Sequence, residues 1–118
     1  MDPTALAAAR ERSADHVASL RRALDSLVED QSLSSADDEH DPEGVTIAVQ
    51  RAQLQGLLSA AEEERDELDR AAQRMAAGDY GRCAECGGVI GAERLEALPA
   101  VRTCITCASR PRRRRTAR

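Results

Sequence analysis

The chain contains no tryptophan, no phenylalanine and no lysine, and Tyr80 is its single aromatic residue. Alanine supplies 22 of the 118 residues, while leucine, isoleucine and valine together supply only 20. Hydrophobic stabilisation scales with the apolar area removed from water, so burying alanine gains little. These shortages exclude a thick globular core and a sheet sandwich built from valine, isoleucine and aromatics. So low a share of large aliphatics would fit disorder, but the leucines recur with a regular spacing. No apolar run approaches the ~18–20 residues of a membrane span, so no membrane association is expected. The opening Met1-Asp2-Pro3-Thr4 has no basic stretch followed by a long apolar one. No signal peptide is therefore expected, and the cytoplasm is the expected location.

Charge is distributed unevenly. The net charge is −4, yet residues 110–118 hold six of the 17 arginines and no acid, which leaves the preceding 109 residues at −10. The basic end reads as an unpacked tail that attracts phosphate. The acidic body repels it.

The abundant Ala, Leu, Glu and Arg favour helix. Asp2-Pro3 is a start signal, with Asp as N-cap and Pro at the first helical position. A heptad frame follows through positions 6, 10, 13, 17, 20, 24, 27 and 31. Leu6, Val17, Leu20, Leu24 and Leu27 fill five of these positions, and Arg10, Ser13 and Gln31 interrupt them. The pattern fades at Ser32-Leu33-Ser34-Ser35, a loop composition. An acidic stretch from Asp37 to Glu43 comes next, and Asp41-Pro42 repeats the start signal. A second frame runs through 47, 51, 54, 58, 61, 65, 68, 72 and 75, broken by Arg51 and Arg65. Gly78, after Ala76-Ala77, is a natural helix stop. Two helices of ~30 residues with seams spaced near 3.5 predict an antiparallel coiled-coil hairpin, with Leu24 facing Leu54 and Leu20 facing Leu58. The expected fold class is mainly α. The expected domains are a hairpin over 1–78 with an acidic tip loop at about 34–44, a cysteine module over 79–109 and the arginine tail over 110–118.

Chemistry concentrates in the module. Cys83-Ala84-Glu85-Cys86 and Cys104-Ile105-Thr106-Cys107 form two C-x-x-C pairs, 17 residues apart. In a cytoplasmic chain that pattern reads as a metal site rather than as disulfides. A redox C-x-x-C needs a βαβ context, and none is visible. Cys83, Cys86, Cys104 and Cys107 are therefore the expected ligands of one zinc ion. Four thiolates close its tetrahedron and leave no position for water, so the metal is structural. Gly87 and Gly88 permit the positive φ that a tight ligand turn uses, and Arg82 and Arg102 are candidates to offset the charge of the thiolates. No nucleophile–base motif, phosphate loop or open metal position is visible, so no enzymatic activity is expected.

Gly78-Asp79-Tyr80-Gly81, the two cysteine pairs with Gly87, Ile90, Arg94-Leu95, Ala97 and Pro99 resemble the zinc finger of the DksA/TraR family. The helical hairpin with an acidic turn is similar to the DksA arrangement. The resemblance implies a bacterial transcription regulator that binds RNA polymerase. Such a protein inserts its coiled coil into the secondary channel and modulates initiation, often together with the alarmone ppGpp. It implies partner-binding tip acids among Asp37, Asp38, Glu39, Asp41 and Glu43. The family's tip reads Asp-x-x-Asp-x-Ala. Asp38 and Asp41 supply the acids in one alignment, with Glu43 in the Ala place. Counting back from Cys83 instead makes Glu43 the second acid, with Val45 in the Ala place. Sequence-specific DNA binding is not expected. The alternative is a zinc-ribbon module that binds nucleic acid or protein through its basic tail. The acidic body and the scarcity of stacking aromatics weigh against nucleic acid.

Overall fold

The structure, a computed structural model, describes residues 2–34 and 42–111. Four helices follow in order: α1 over Pro3–Ser34, α2 over Pro42–Ala77, α3 over Ala92–Ala97 and α4 over Ile105–Ala108. Among the described residues there is no strand, and one isolated antiparallel bridge pairs Arg82 with Val89. No described helix is long and apolar enough to cross a membrane. The mainly α architecture agrees with the helix-rich composition.

Both Asp-Pro signals mark helix starts. The Ala5 amide donates to the Asp2 carboxylate at 2.8 Å, the bond an N-cap makes to the third helical residue. The helix α2 begins at Pro42. It ends as Gly78 predicts, with φ 84° at that glycine. The Asp79 amide donates back to the Arg74 carbonyl at 2.8 Å and the Gly78 amide to the Met75 carbonyl at 3.2 Å. This pair of bonds satisfies carbonyls that the helix end leaves open. One boundary differs from the composition. The helix α1 continues through Ser32-Leu33-Ser34, because serine costs a helix only a few tenths of a kcal/mol and an established helix propagates over it.

The chain divides into two units, one of Met1–Ala7 with Leu68–Arg118 and one of Ala8–Glu67. In the second unit the two helices are antiparallel. Seven residues separate Ser34 from Pro42 and reach at most ~25 Å, too short to return along a 32-residue helix of ~48 Å. Arg21 and Glu62 join the arms at 2.6 Å, a contact worth at most ~1 kcal/mol at an exposed site.

Burial follows the heptad frames. In the second unit Ser13, Val17 and Ala61 are buried, and Leu20, Leu24, Leu27, Ile47, Arg51, Leu54 and Leu58 are half-buried. In the first unit Leu6 and Leu68 are buried and Ala72 and Met75 half-buried. Arg10, the exception, is exposed. Ala9 and Ala71 are buried beside the frames. Two helices alone cannot cover a seam completely, so coverage at Leu20 and Leu24 stays partial.

Ser13 breaks the apolar seam with a buried hydroxyl that has no hydrogen-bond partner. A buried unsatisfied hydroxyl is destabilising by ~1–3 kcal/mol. Ser13→Ala should raise the unfolding free energy by ~1 kcal/mol, measured by urea denaturation followed by circular dichroism. Leu6→Ala at a fully buried position should cost ~2–5 kcal/mol, and Leu24→Ala distinctly less. Equal losses at Leu6 and Leu24 would contradict the difference in burial.

Candidate metal centre

The four cysteines converge. The sulfurs of Cys83, Cys86, Cys104 and Cys107 all lie within 4.8 Å of one another. The Cys86 and Cys104 sulfurs are 3.8 Å apart, which matches the ~3.8 Å edge of a tetrahedron with ~2.3 Å metal–sulfur bonds. The donor set, four thiols with no other ligand, suits a closed structural zinc site. Each pair contributes one buried sulfur residue, Cys83 and Cys107, and one more open, Cys86 and Cys104.

The two pairs reach this geometry by different backbone routes. Cys83 and Cys86 sit in a tight hairpin turn. The Cys83 amide donates to the Gly88 carbonyl at 2.7 Å and the Gly87 amide to the Cys83 carbonyl at 3.0 Å. Gly87 has φ 74°, a conformation that side chains disfavour. Gly88 has no positive φ, contrary to the sequence expectation. It is constrained by space instead, since a Cβ there would lie 3.3 Å from the Cys86 sulfur. The Gly88 amide approaches that sulfur at 3.4 Å. The second pair is helical. Cys104 is the N-cap of α4, and its sulfur accepts from the Cys107 amide at 3.5 Å.

These amides set the ionisation of the thiols. Those of Cys86 and Cys104 act on the Cys83 sulfur and bring its pKa down to about 6. The Cys107 amide lowers that of Cys104. The Cys107 thiol, crowded first by the Cys104 sulfur and then by burial, is pushed up to about 12. Four thiolates cannot share one point without a cation. The groups that hold the Cys83 thiolate are backbone amides rather than Arg82 or Arg102, both of which are exposed.

A small core supports the site. Cys83 and Cys107 are buried with Ile90 and Leu95, and Tyr80, Val101 and Cys104 pack against them. The Tyr80 hydroxyl donates to the Pro99 carbonyl at 2.9 Å, and burial raises its pKa. Tyr80 is thus a packing residue. The Arg94 Nε donates to the Thr103 carbonyl at 2.9 Å, which ties α3 to the segment entering the second cysteine pair. The Ala84 amide donates to the Arg102 carbonyl at 2.7 Å and joins the two ligand segments. Gly81, to which sequence reasoning assigned no role, has φ 84°, and a Cβ there would lie 3.4 Å from Leu95. Its place two residues before the first ligand was the available signal.

The tip acids Asp37, Asp38, Glu39 and Asp41 lie outside the described residues, as do His40 and residues 112–118 of the arginine tail. Glu43 stands in the first turn of α2.

Residues 78–113 match the family model of the prokaryotic dksA/traR C4-type zinc finger. This finger is of the DksA/TraR type. The match includes all four cysteines and the motif from Gly78 to Pro99. General stress protein 16O of Bacillus subtilis (strain 168) is 36% identical over 73 residues, which are 62% of this chain and 45% of that protein. The chain thus spans less than half of that relative. The solved structure of transcription factor DksA2 from Pseudomonas aeruginosa aligns with a TM-score of 0.61 at 24% identity, over 91% of this chain and 82% of that one. This likeness extends the shared fold beyond the DksA/TraR-type finger to the long helices.

The finger should carry one zinc per chain by elemental analysis, and Cys104→Ser should release it while leaving α1 and α2 largely helical. Zinc retention should fall with acidification. The depressed Cys83 pKa favours the fold fully above the ordinary thiol value of 9.0, and that contribution is lost as pH falls through about 6. Protons compete with zinc for all four thiolates, so release to a chromophoric chelator should rise as pH falls. A native protein holding disulfides and no metal would overturn the site.

Proposed function

We propose that this chain is a DksA/TraR-like transcription regulator that binds RNA polymerase through the secondary channel. The observation that carries the reading is the four-cysteine finger, whose residues match the DksA/TraR model and which follows a pair of long antiparallel helices. The name of the Pseudomonas relative, a transcription factor, supports it. In this reading Cys83, Cys86, Cys104 and Cys107 hold zinc for structure alone. The acids between α1 and α2 in sequence act where two helices of 32 and 36 residues, ~48 and ~54 Å long, are joined. A metal without an open position does no chemistry, so the chain regulates and does not catalyse. The carboxylates at the helix junction then modulate initiation by charge, and ppGpp is a second ligand to be tested in the same assay.

The decisive measurement compares the unaltered chain with Asp38→Asn/Asp41→Asn for affinity to core polymerase and for promoter-complex lifetime, with and without ppGpp. The variant should keep its zinc and helices and lose at most ~1–2 kcal/mol of stability from an altered cap. It should bind polymerase and lose its effect on lifetime. Full regulatory effect in the variant would restrict Asp38 and Asp41 to capping and direct attention to Glu39 and Glu43. Failure of the unaltered chain to bind polymerase would overturn the proposal.

A further inference from the structure

Within the unit Ala8–Glu67 the outward faces of the two long helices differ. On α1 the face turned away from the seam carries Glu11, Asp15, Arg22, Asp25 and Glu29, all exposed. That is the charged surface of a solvated helix. On α2 the corresponding positions are Val45, Val49, Ala52, Gly56 and Ala60, also all exposed. They recur at three- and four-residue spacing and so share one face. Val45 is 70% exposed and Val49 52%, and Leu57 beside the strip is 56% exposed. From position 44 to position 61 the only charged residue is Arg51, which sits half-buried on the seam. Single exposed apolar residues need no explanation, whereas a continuous strip ~24 Å long does.

Gly56 adds an independent observation. It lies in mid-helix, and a Cβ there would meet nothing within 4 Å. No contact among the described residues requires a glycine at this position, yet glycine weakens a helix relative to alanine. A bare backbone on the outward face suits close approach by a partner.

Charge decides which partner fits. The strip is followed by Glu62-Glu63-Glu64-Arg65-Asp66-Glu67, five acids against one arginine, and preceded in sequence by the five acids from Asp37 to Glu43. A second copy laid along it would set the acidic 62–67 end against itself when parallel, and against the first turn of α2, where Glu43 stands, when antiparallel. Nucleic acid would be repelled in the same way. The complementary occupant is a protein surface with an apolar centre and basic groups facing Glu63, Glu64, Asp66 and Glu67. We infer that RNA polymerase, on the reading proposed above, holds the helical pair through this outward face of α2 and leaves the charged outward face of α1 in solvent. This inference rests on the polymerase reading and adds which face is recognised.

Val49→Glu and Ala52→Glu place a charge in the strip, and Ser26→Glu places the same charge on the outward face of α1 as a control. All three positions are exposed, and helix content and zinc content are measured to establish that each variant folds. Burying an unpaired carboxylate is costly. Val49→Glu and Ala52→Glu should weaken core polymerase binding by about tenfold or more, while Ser26→Glu stays near the unaltered affinity. Gly56→Ala should raise the melting temperature and still weaken binding, two opposite changes that a purely structural glycine would not produce. If the unaltered chain binds polymerase and the strip variants bind equally well, the face assignment falls and the polymerase reading stands. If the unaltered chain does not bind at all, both fall. A concentration-dependent dimer in sedimentation that Val49→Glu abolishes would give the strip to a second copy and overturn the inference.

Discussion

Four sulfurs held around one point are the constraint on which the finger depends. Its buried residues are Cys83, Ile90, Leu95 and Cys107, so two of the four are themselves sulfur donors. Two aliphatic side chains and one half-buried tyrosine cannot offset the conformational entropy of some thirty residues. A structural zinc site of four thiolates, worth ~10–16 kcal/mol in small modules, can. The short elements follow from this need. A glycine-permitted hairpin presents one pair, and α4 presents the other from its cap and first turn. Tyr80, Arg94 and Ala84 bond to the carbonyls of Pro99, Thr103 and Arg102 and bring the two ligand segments together.

The helical pair solves a different problem with the same poverty of large side chains. It needs no thick core, because each helix satisfies its own backbone and only a stripe must be covered. Coverage is strongest at Leu6, Val17, Ala61 and Leu68 and partial at Leu20, Leu24 and Leu54. Ser13 on the seam reduces its stability through its unpaired buried hydroxyl, and Arg51 is a second polar seam residue. Polar seam residues of this kind restrict the registers a helical pair can adopt.

Function, in the proposed reading, follows from keeping these two solutions separate. The metal has no open coordination position and so contributes rigidity rather than reactivity. The charged and apolar surfaces of the long helices are then available to a partner, with charge concentrated where α1 gives way to α2 and an uncharged strip along the outside of α2. Recognition by such a surface combines apolar contact with charge complementarity, of which the latter acts mainly on encounter and specificity.

Most of this was legible in the sequence because local chemistry dictates it. Asp2-Pro3 starts α1 by capping and by a fixed φ, Pro42 opens α2, Gly78 ends it through a positive φ, and leucine spacing near 3.5 marks the seam. The paired cysteine spacing marks the metal site, since two intervening residues suffice for one turn to aim both sulfurs. What the sequence left undetermined depends on atoms brought near by folding. Nothing local distinguishes Gly87, held by its φ, from Gly88, held by the nearby Cys86 sulfur. Nor does it say that Gly81 faces Leu95, or that amides rather than arginines stabilise the Cys83 thiolate. The solvent exposure of Val45, Val49 and Gly56 belongs to the same class. It follows from which side of α2 the partner helix covers, a choice that only the packed pair of helices makes.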